Sequence, residues 1–269
     1  MGRLRYAQSV RDLERARDRA IDEEGQPAFV PMRALRCVYE TDAEAVQAIV
    51  PRPLEVARDP QVHVSIAMLR EARVANGPPP EVASAVLAVR VAYDGVEGLY
   101  PIMMPTSSEQ LLVQGRERFG EPRKLARVEL FEQDGHVRAS VERAGIRLLR
   151  IEGTSGTTQA PFEEEEVAWC FKVFPGCRPS RGFDQDPQLV RLDWLHRHDR
   201  VRPVSGTISL EESALDPVAD LPIRRLVRLE VVEGKTSARG RVLRPVPGDW
   251  LIPFLHQRYD SPDVEGLDV

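Results

Sequence analysis

Lysine is nearly missing from this sequence, occurring only at Lys124, Lys172 and Lys235 among 37 lysines and arginines. Amine chemistry therefore has three candidates, because a guanidinium stays protonated and its delocalised nitrogens are poor nucleophiles. Cysteine is as scarce. Cys37, Cys170 and Cys177 are odd in number and form no CxxC pair, which excludes a zinc ribbon or dithiol motif and favours reduced thiols over disulfides. No apolar run is long enough to span a bilayer, and the opening MGRLRYAQSVRDLERARDRA is too charged for a signal peptide. A cytoplasmic protein with no membrane partner is expected. The net charge is -5 with the signs interspersed, and this lack of a basic footprint argues against nucleic acid as a partner. No phosphate-cradling glycine loop, dinucleotide fingerprint or serine nucleophile elbow occurs.

What is present is enough chain for one large domain, 269 residues without a low-complexity linker. Leu4, Ala7, Val10, Leu13 and Ala16 fall at helical spacing, so residues 1–26 are expected as a charged helical extension to a domain spanning 27–260. Residues 33–39 read as a strand, followed by a helix capped at Thr41 or Asp42 and stopped by Pro51 and Pro53. Strands are expected at 61–73 and 82–93, separated by a proline loop at 78–80 and ended by the Asp94-Gly95 turn. Residues 123–132, 137–142 and 146–152, with turns at Asp134-Gly135 and Ala144-Gly145, predict a meander. Later strands are expected at 189–195, 205–211, 226–232 and 236–246, then a short helix at 250–259 and a flexible tail at 261–269. The acidic run at 163–166 reads as exposed residues before a strand. His196 and His198, with Asp193 and Asp199, have a spacing that could ligate a metal, but with no third ligand evident they read as a solvated loop, and no metal site is expected.

The stretch around which the chain is organised is QGRERFGEPRKLARVELF, at 114–131. It begins as helix, breaks at Gly120 and Pro122, and turns to strand alternation. Two cations, Arg123 and Lys124, stand side by side where a proline turn enters a strand. GRERFGEPRKLA resembles the GRExxGxPKKLA signature of the acetoacetate decarboxylase family. RCVYETDAEAVQAIVPRPLEV is similar to an early strand and helix of that family, and GVEGLYPIMMPTSSEQLLVQGRE to the approach to its active lysine, so the resemblance runs from about Arg33 onward. It implies an α+β, mainly β fold: an antiparallel β-barrel or curved sheet with peripheral helices. It also implies a homo-oligomer that acts on a small-molecule oxo acid without a cofactor.

In the family the first lysine of the pair forms an imine with a keto acid, and here that position is Arg123. An imine-forming amine must be neutral, so its pKa must fall several units from about 10.4; acetoacetate decarboxylase is a standard example of such an activated lysine. Arg123 cannot do this, but it can hold a carboxylate or an enolate oxygen. Alternation sets Lys124 with Ala126, Val128 and Leu130 on the more apolar face, where it could serve as the nucleophile, whereas the resemblance assigns that role to the position of Arg123. The resemblance further implies Arg33 for the substrate carboxylate, Glu81 as acid or base, Tyr100 and Met103 as substrate-binding residues, Lys172 at the pocket, and a structural ion pair for Arg116 and Glu117. Three readings stay open: a lyase on a small or medium oxo acid that forms no imine, an imine decarboxylase or aldolase-dehydratase using Lys124, and a carboxylate-binding or assembly protein without catalysis.

Overall fold

The structure, a computed structural model, describes residues 9–11, 14, 29–70, 81–177 and 182–260. Most of the expected extension at 1–26, the proline loop at 78–80 and the tail at 261–269 lie outside the described residues. The strands are β1 (Val30–Glu40), β2 (Glu55–Val56), β3 (Gln61–Arg70), β4 (Glu81–Tyr93), β5 (Val96–Thr106), β6 (Arg123–Leu125), β7 (Arg127–Gln133), β8 (His136–Arg143), β9 (Ile146–Ser155), β10 (Phe162–Lys172), β11 (Gln188–Leu210) and β12 (Arg225–Pro245). Helix α1 (Ala43–Ile49) follows β1, and α2 (Glu109–Gln114) follows β5. Among the described residues no helix is long and apolar enough to cross a membrane.

Seven strands, in the order β10-β5-β4-β3-β1-β12-β11, close into a barrel because β11 also pairs with β10. Past a bulge between His198 and Arg200, β11 leaves the ring and pairs with β9, so the β9-β8-β7 meander continues the same sheet. This is the mainly β barrel with few helices that the sequence implies.

The two-residue period of the strands separates outside from inside. Leu35, Cys37 and Tyr39 of β1, Val62, Val64 and Ile66 of β3, and Leu87, Val89 and Val91 of β4 join the large apolar core. That core lies outside the ring, sealed by Val128, Leu130, Ala139, Val141 and Ile151 of the meander and by Val46 of α1. Each such aliphatic side chain contributes about 1.5–3 kcal/mol on full burial. The alternate residues face the lumen. Arg36 of β1 pairs with Glu164 of β10, and His63 of β3 lies 3.9 Å from Glu166 of β10, although neither pair of strands is adjacent in the ring. Such contacts can only cross the lumen.

Several expected elements differ. The strand at 123–132 is broken at Ala126: β6 pairs parallel with β5, and β7 joins the meander. The strands expected at 189–195 and 205–211 are one 23-residue strand, and those at 226–232 and 236–246 are one of 21 residues. Charged and polar residues that suggested loops there belong to continuous ladders, and the inward-facing His198 meets Arg36 of β1 across the ring. The acidic run lies inside β10, with Glu163 and Glu165 exposed and Glu164 and Glu166 turned inward.

Candidate active site

Helix α2 starts at Ser108, whose Oγ accepts from Leu111 N at 3.2 Å, and its last turn widens into a π turn, Gly115–Phe119, stopped by Gly120 at φ 74°. Two glycines of the GRExxG motif are required by close approach. A Cβ on Gly115 would lie 2.2 Å from Glu121 Oε2 and 2.3 Å from Arg123 Nε, and one on Gly120 would lie 2.4 Å from the Phe171 carbonyl carbon. Arg116 donates through Nη1 to the carbonyls of Arg123 and Arg258, each at 3.0 Å, tying the π turn to β6 and to the C-terminal segment. Glu117 is exposed, and the ion pair of this motif is formed by Glu121.

Arg123 Nε donates to Glu121 Oε2 at 2.5 Å, and Nη1 donates to Ser84 Oγ at 3.0 Å. Arg123 and Glu121 are 7% and 5% exposed, so the pair is held away from solvent screening. Among the described residues Nη2 has no hydrogen-bond partner. Ser84 stands on the lumen face of β4, between Ala83 and Ala85 of the outer core. Arg123 therefore reaches from the barrel wall to an inward-facing residue.

Lys124 occupies a separate setting. Its Nζ meets Asp216 Oδ1 at 2.9 Å, Asp260 Oδ1 at 3.2 Å and the Leu215 and His256 carbonyls at 3.2 and 3.4 Å. Arg143 bridges the same two aspartates. Three ammonium protons face four acceptors, an arrangement that clamps the C-terminal segment and leaves no free lone pair for attack on a ketone.

The other sequence-identified residues are spread around the barrel. Arg33 shares the outer face of β1 with Leu35, and its Nη2 donates to the Leu130 carbonyl at 3.4 Å. Tyr100 and Met103 belong to the outer core, and the Tyr100 hydroxyl donates to Gln257 Oε1 at 2.6 Å. Glu81 is the exposed first residue of β4, three positions before Ser84. Lys172 is half-buried at the end of β10 and has the parity of the lumen residues. A cavity with room for about one water lies beside Tyr100, Gly120, Phe171 and Arg258. It is too small for a substrate. Cys170 faces the lumen, and burial, reinforced by Glu121, raises its thiol pKa, so it is no thiolate at neutral pH.

The lumen also holds polar side chains that the sequence reading set aside. Arg36 Nη1 lies 3.1 Å from His198 Nε2 and pairs with Glu164; His196 and His198 stack with ring centroids 5.7 Å apart. Burial alone would raise the Glu164 carboxyl, yet the His198 contact and Arg36 outweigh it and hold it at about 2. Burial instead wins at Glu166, whose carboxyl is pushed up to about 7 against Arg36. Among the described residues no group of three or more His, Cys, Asp or Glu side chains could hold a metal ion. The available signal was alternation: Glu164 with Glu166 and His196 with His198 are spaced by two, as inward residues of paired strands must be.

Residues 17–245 match the sequence profile of the family described as acetoacetate decarboxylase (ADC). The acetoacetate decarboxylase of Burkholderia vietnamiensis is 27% identical over 220 residues, covering 78% of this chain and 83% of that protein. That of Acidiphilium cryptum is 28% identical over 214 residues, covering 76% and 82%. In fold, the chain resembles acetoacetate decarboxylase from Legionella pneumophila, with a TM-score of 0.67 at 21% identity over 82% of this chain and 89% of that one. It likewise resembles the enduracididine biosynthesis enzyme MppR complexed with pyruvate, with a TM-score of 0.68 at 15% identity over 81% and 90%. The matched profile spans most of the chain, including the glycines, the π turn and the cation pair described above: the chain belongs to the acetoacetate decarboxylase family.

Proposed function

We propose that this protein is a lyase-type enzyme that acts on a small or medium oxo acid in the barrel lumen without forming an imine, with Arg123 holding the carboxylate or the enolate oxygen. The observation that carries this reading is the side chain at the imine position: a buried guanidinium fixed by Glu121 and Ser84, with Nη2 still able to donate. A guanidinium already paired with a carboxylate attracts a resident anion weakly, but it can still stabilise an oxygen on which charge develops. The commitment of Lys124 to Asp216 and Asp260 supports the same reading. Pyruvate, the molecule in one MppR complex, is the first probe. The test is turnover of pyruvate, acetoacetate and longer oxo acids, followed by NMR of products. Wild type is expected to convert at least one of them, and Arg123→Ala to lose about 100-fold or more in kcat/KM. Binding of these acids with no turnover of any would overturn the enzymatic part. The same assay on Glu81→Gln tests Glu81 as the proton carrier.

A further inference from the structure

Arg258 is a buried cation that lacks a counter-charge. It is 9% exposed, and its guanidinium, which carries five donors, makes one hydrogen bond, from Nη1 to the Gly120 carbonyl at 2.6 Å. Nε is buried without a partner among the described residues. Burial loosens its hold on the proton, and the groups that act on it next, Tyr259, Arg116, Tyr100 and Cys170, include no carboxylate. The acids closest in sequence to these contacts are committed elsewhere. Glu121, the residue after Gly120, is held by Arg123 Nε at 2.5 Å, and Asp260 by Lys124 and Arg143.

The other neighbours do not supply the missing negative charge. Burial raises the pKa of the Cys170 thiol and of the Tyr100 phenol, so both are neutral at pH 7. Arg116 adds to the imbalance: its guanidinium donates to the Arg123 and Arg258 carbonyls and lies 5.0 Å above the Tyr259 ring, with no acid partner among the described residues. Around Gly120, three guanidiniums thus face the single carboxylate of Glu121. A charge taken out of water is costly unless it is paired, so this arrangement calls for an anion.

The space for one is present. The cavity with room for about one water is lined by Arg258 itself, with Tyr100, Gly120, Cys170, Phe171 and Leu255 around it. A water there could accept a hydrogen bond but would leave the charge unbalanced. A single-atom anion does both, and chloride needs only slightly more room than a water, whereas a carboxylate, phosphate or sulfate is too large.

We propose that this cavity is a halide site, in which a chloride ion accepts from the Arg258 guanidinium and neutralises it. The walls come from β5, the GRExxG turn, β10 and the C-terminal 3-10 turn Ile252–Gln257. The ion therefore fastens the C-terminal turn to the segment that carries the Glu121–Arg123 pair.

The test uses the full chain, dialysed into sodium methanesulfonate, with sodium chloride then substituted at constant ionic strength. The thermal midpoint of wild type is expected to rise saturably with chloride, by about 5 °C at saturation. Arg258→Met should lose this dependence, and Arg241→Met, at an exposed arginine, should keep it. Wild-type crystals grown in sodium bromide are expected to show an anomalous bromide peak in the cavity beside Arg258. A midpoint that is the same in chloride and methanesulfonate, an equal rise in Arg258→Met, or a cavity that holds water and no bromide would overturn the proposal. If Arg258→Met does not fold, the bromide peak in wild type decides. The site does not depend on the oxo-acid reading: turnover of pyruvate and the halide dependence of stability are separate results.

Discussion

Arg123 and Glu121 form a buried ion pair across a single proline, Nε to Oε2 at 2.5 Å, at the position where the family resemblance implies an imine lysine. Each partner leaves a buried charge uncompensated if the other is removed. Arg123→Ala or Glu121→Ala is expected to lower stability by about 3–5 kcal/mol in urea unfolding. Glu121→Gln should also tighten pyruvate binding by calorimetry, because the guanidinium is then free to take the carboxylate. An unchanged pyruvate affinity would mean that Arg123 does not hold it.

Arg123→Lys returns an amine to the imine position but leaves Glu121 to keep it as an ammonium. Borohydride reduction with acetoacetate is expected to give little adduct in Arg123→Lys and a clear one in Glu121→Gln/Arg123→Lys, since losing the carboxylate favours the neutral amine. Equal trapping in the two variants would show that Glu121 does not set the charge at this site.

Lys124 is read as a clamp on the C-terminal segment. With Asp216 almost fully buried and Asp260 half-exposed, Lys124→Met is expected to cost about 3 kcal/mol, chiefly through Asp216. The cost should appear as a lower urea midpoint with pyruvate binding retained. A Lys124→Met variant of wild-type stability that has lost pyruvate binding would reverse the assignment.

The lumen histidines predict an acid-sensitive fold. Their folded pKa values, pushed down by burial to about 4 from 6.5, lie below the unfolded value. Their contribution to stability is thus present above pH 6.5 and lost as pH falls through 4. Glu166 acts oppositely: raised from 4.5 to about 7, its contribution is present below pH 4.5 and lost as pH rises through 7. Urea unfolding from pH 4 to 8 should show a flatter acid limb in His63→Gln/His196→Gln, and less loss of stability on the alkaline side in Glu166→Gln.

Barrel, meander and motif glycines were legible because alternation, Asp-Gly turns and the GRExxG spacing each have a local physical cause. Val137, Ala139 and Val141 alternate inward as a meander strand should, and Gly115 and Gly120 sit where a Cβ would strike Arg123 and the β10 backbone. The lumen was not legible in the same way. Charged residues on a strand normally mark its solvent face, so Glu164, Glu166, His196 and His198 suggested surface or loop; only ring closure brings Arg36 from a distant strand to pair with one of them. The opposite settings of Arg123 and Lys124 were half visible, since parity separates them, but the acids that occupy Lys124 lie 92 and 136 positions further along the chain.

The central claim is that this family member binds an oxo acid without imine chemistry. The most direct test is borohydride reduction of the wild-type protein with acetoacetate and with pyruvate, read by intact mass and peptide mapping. The account predicts an unmodified mass, with pyruvate binding present in wild type and lost in Arg123→Ala. A reduced adduct on Lys124, absent from Lys124→Ala, would contradict it and return the protein to imine catalysis.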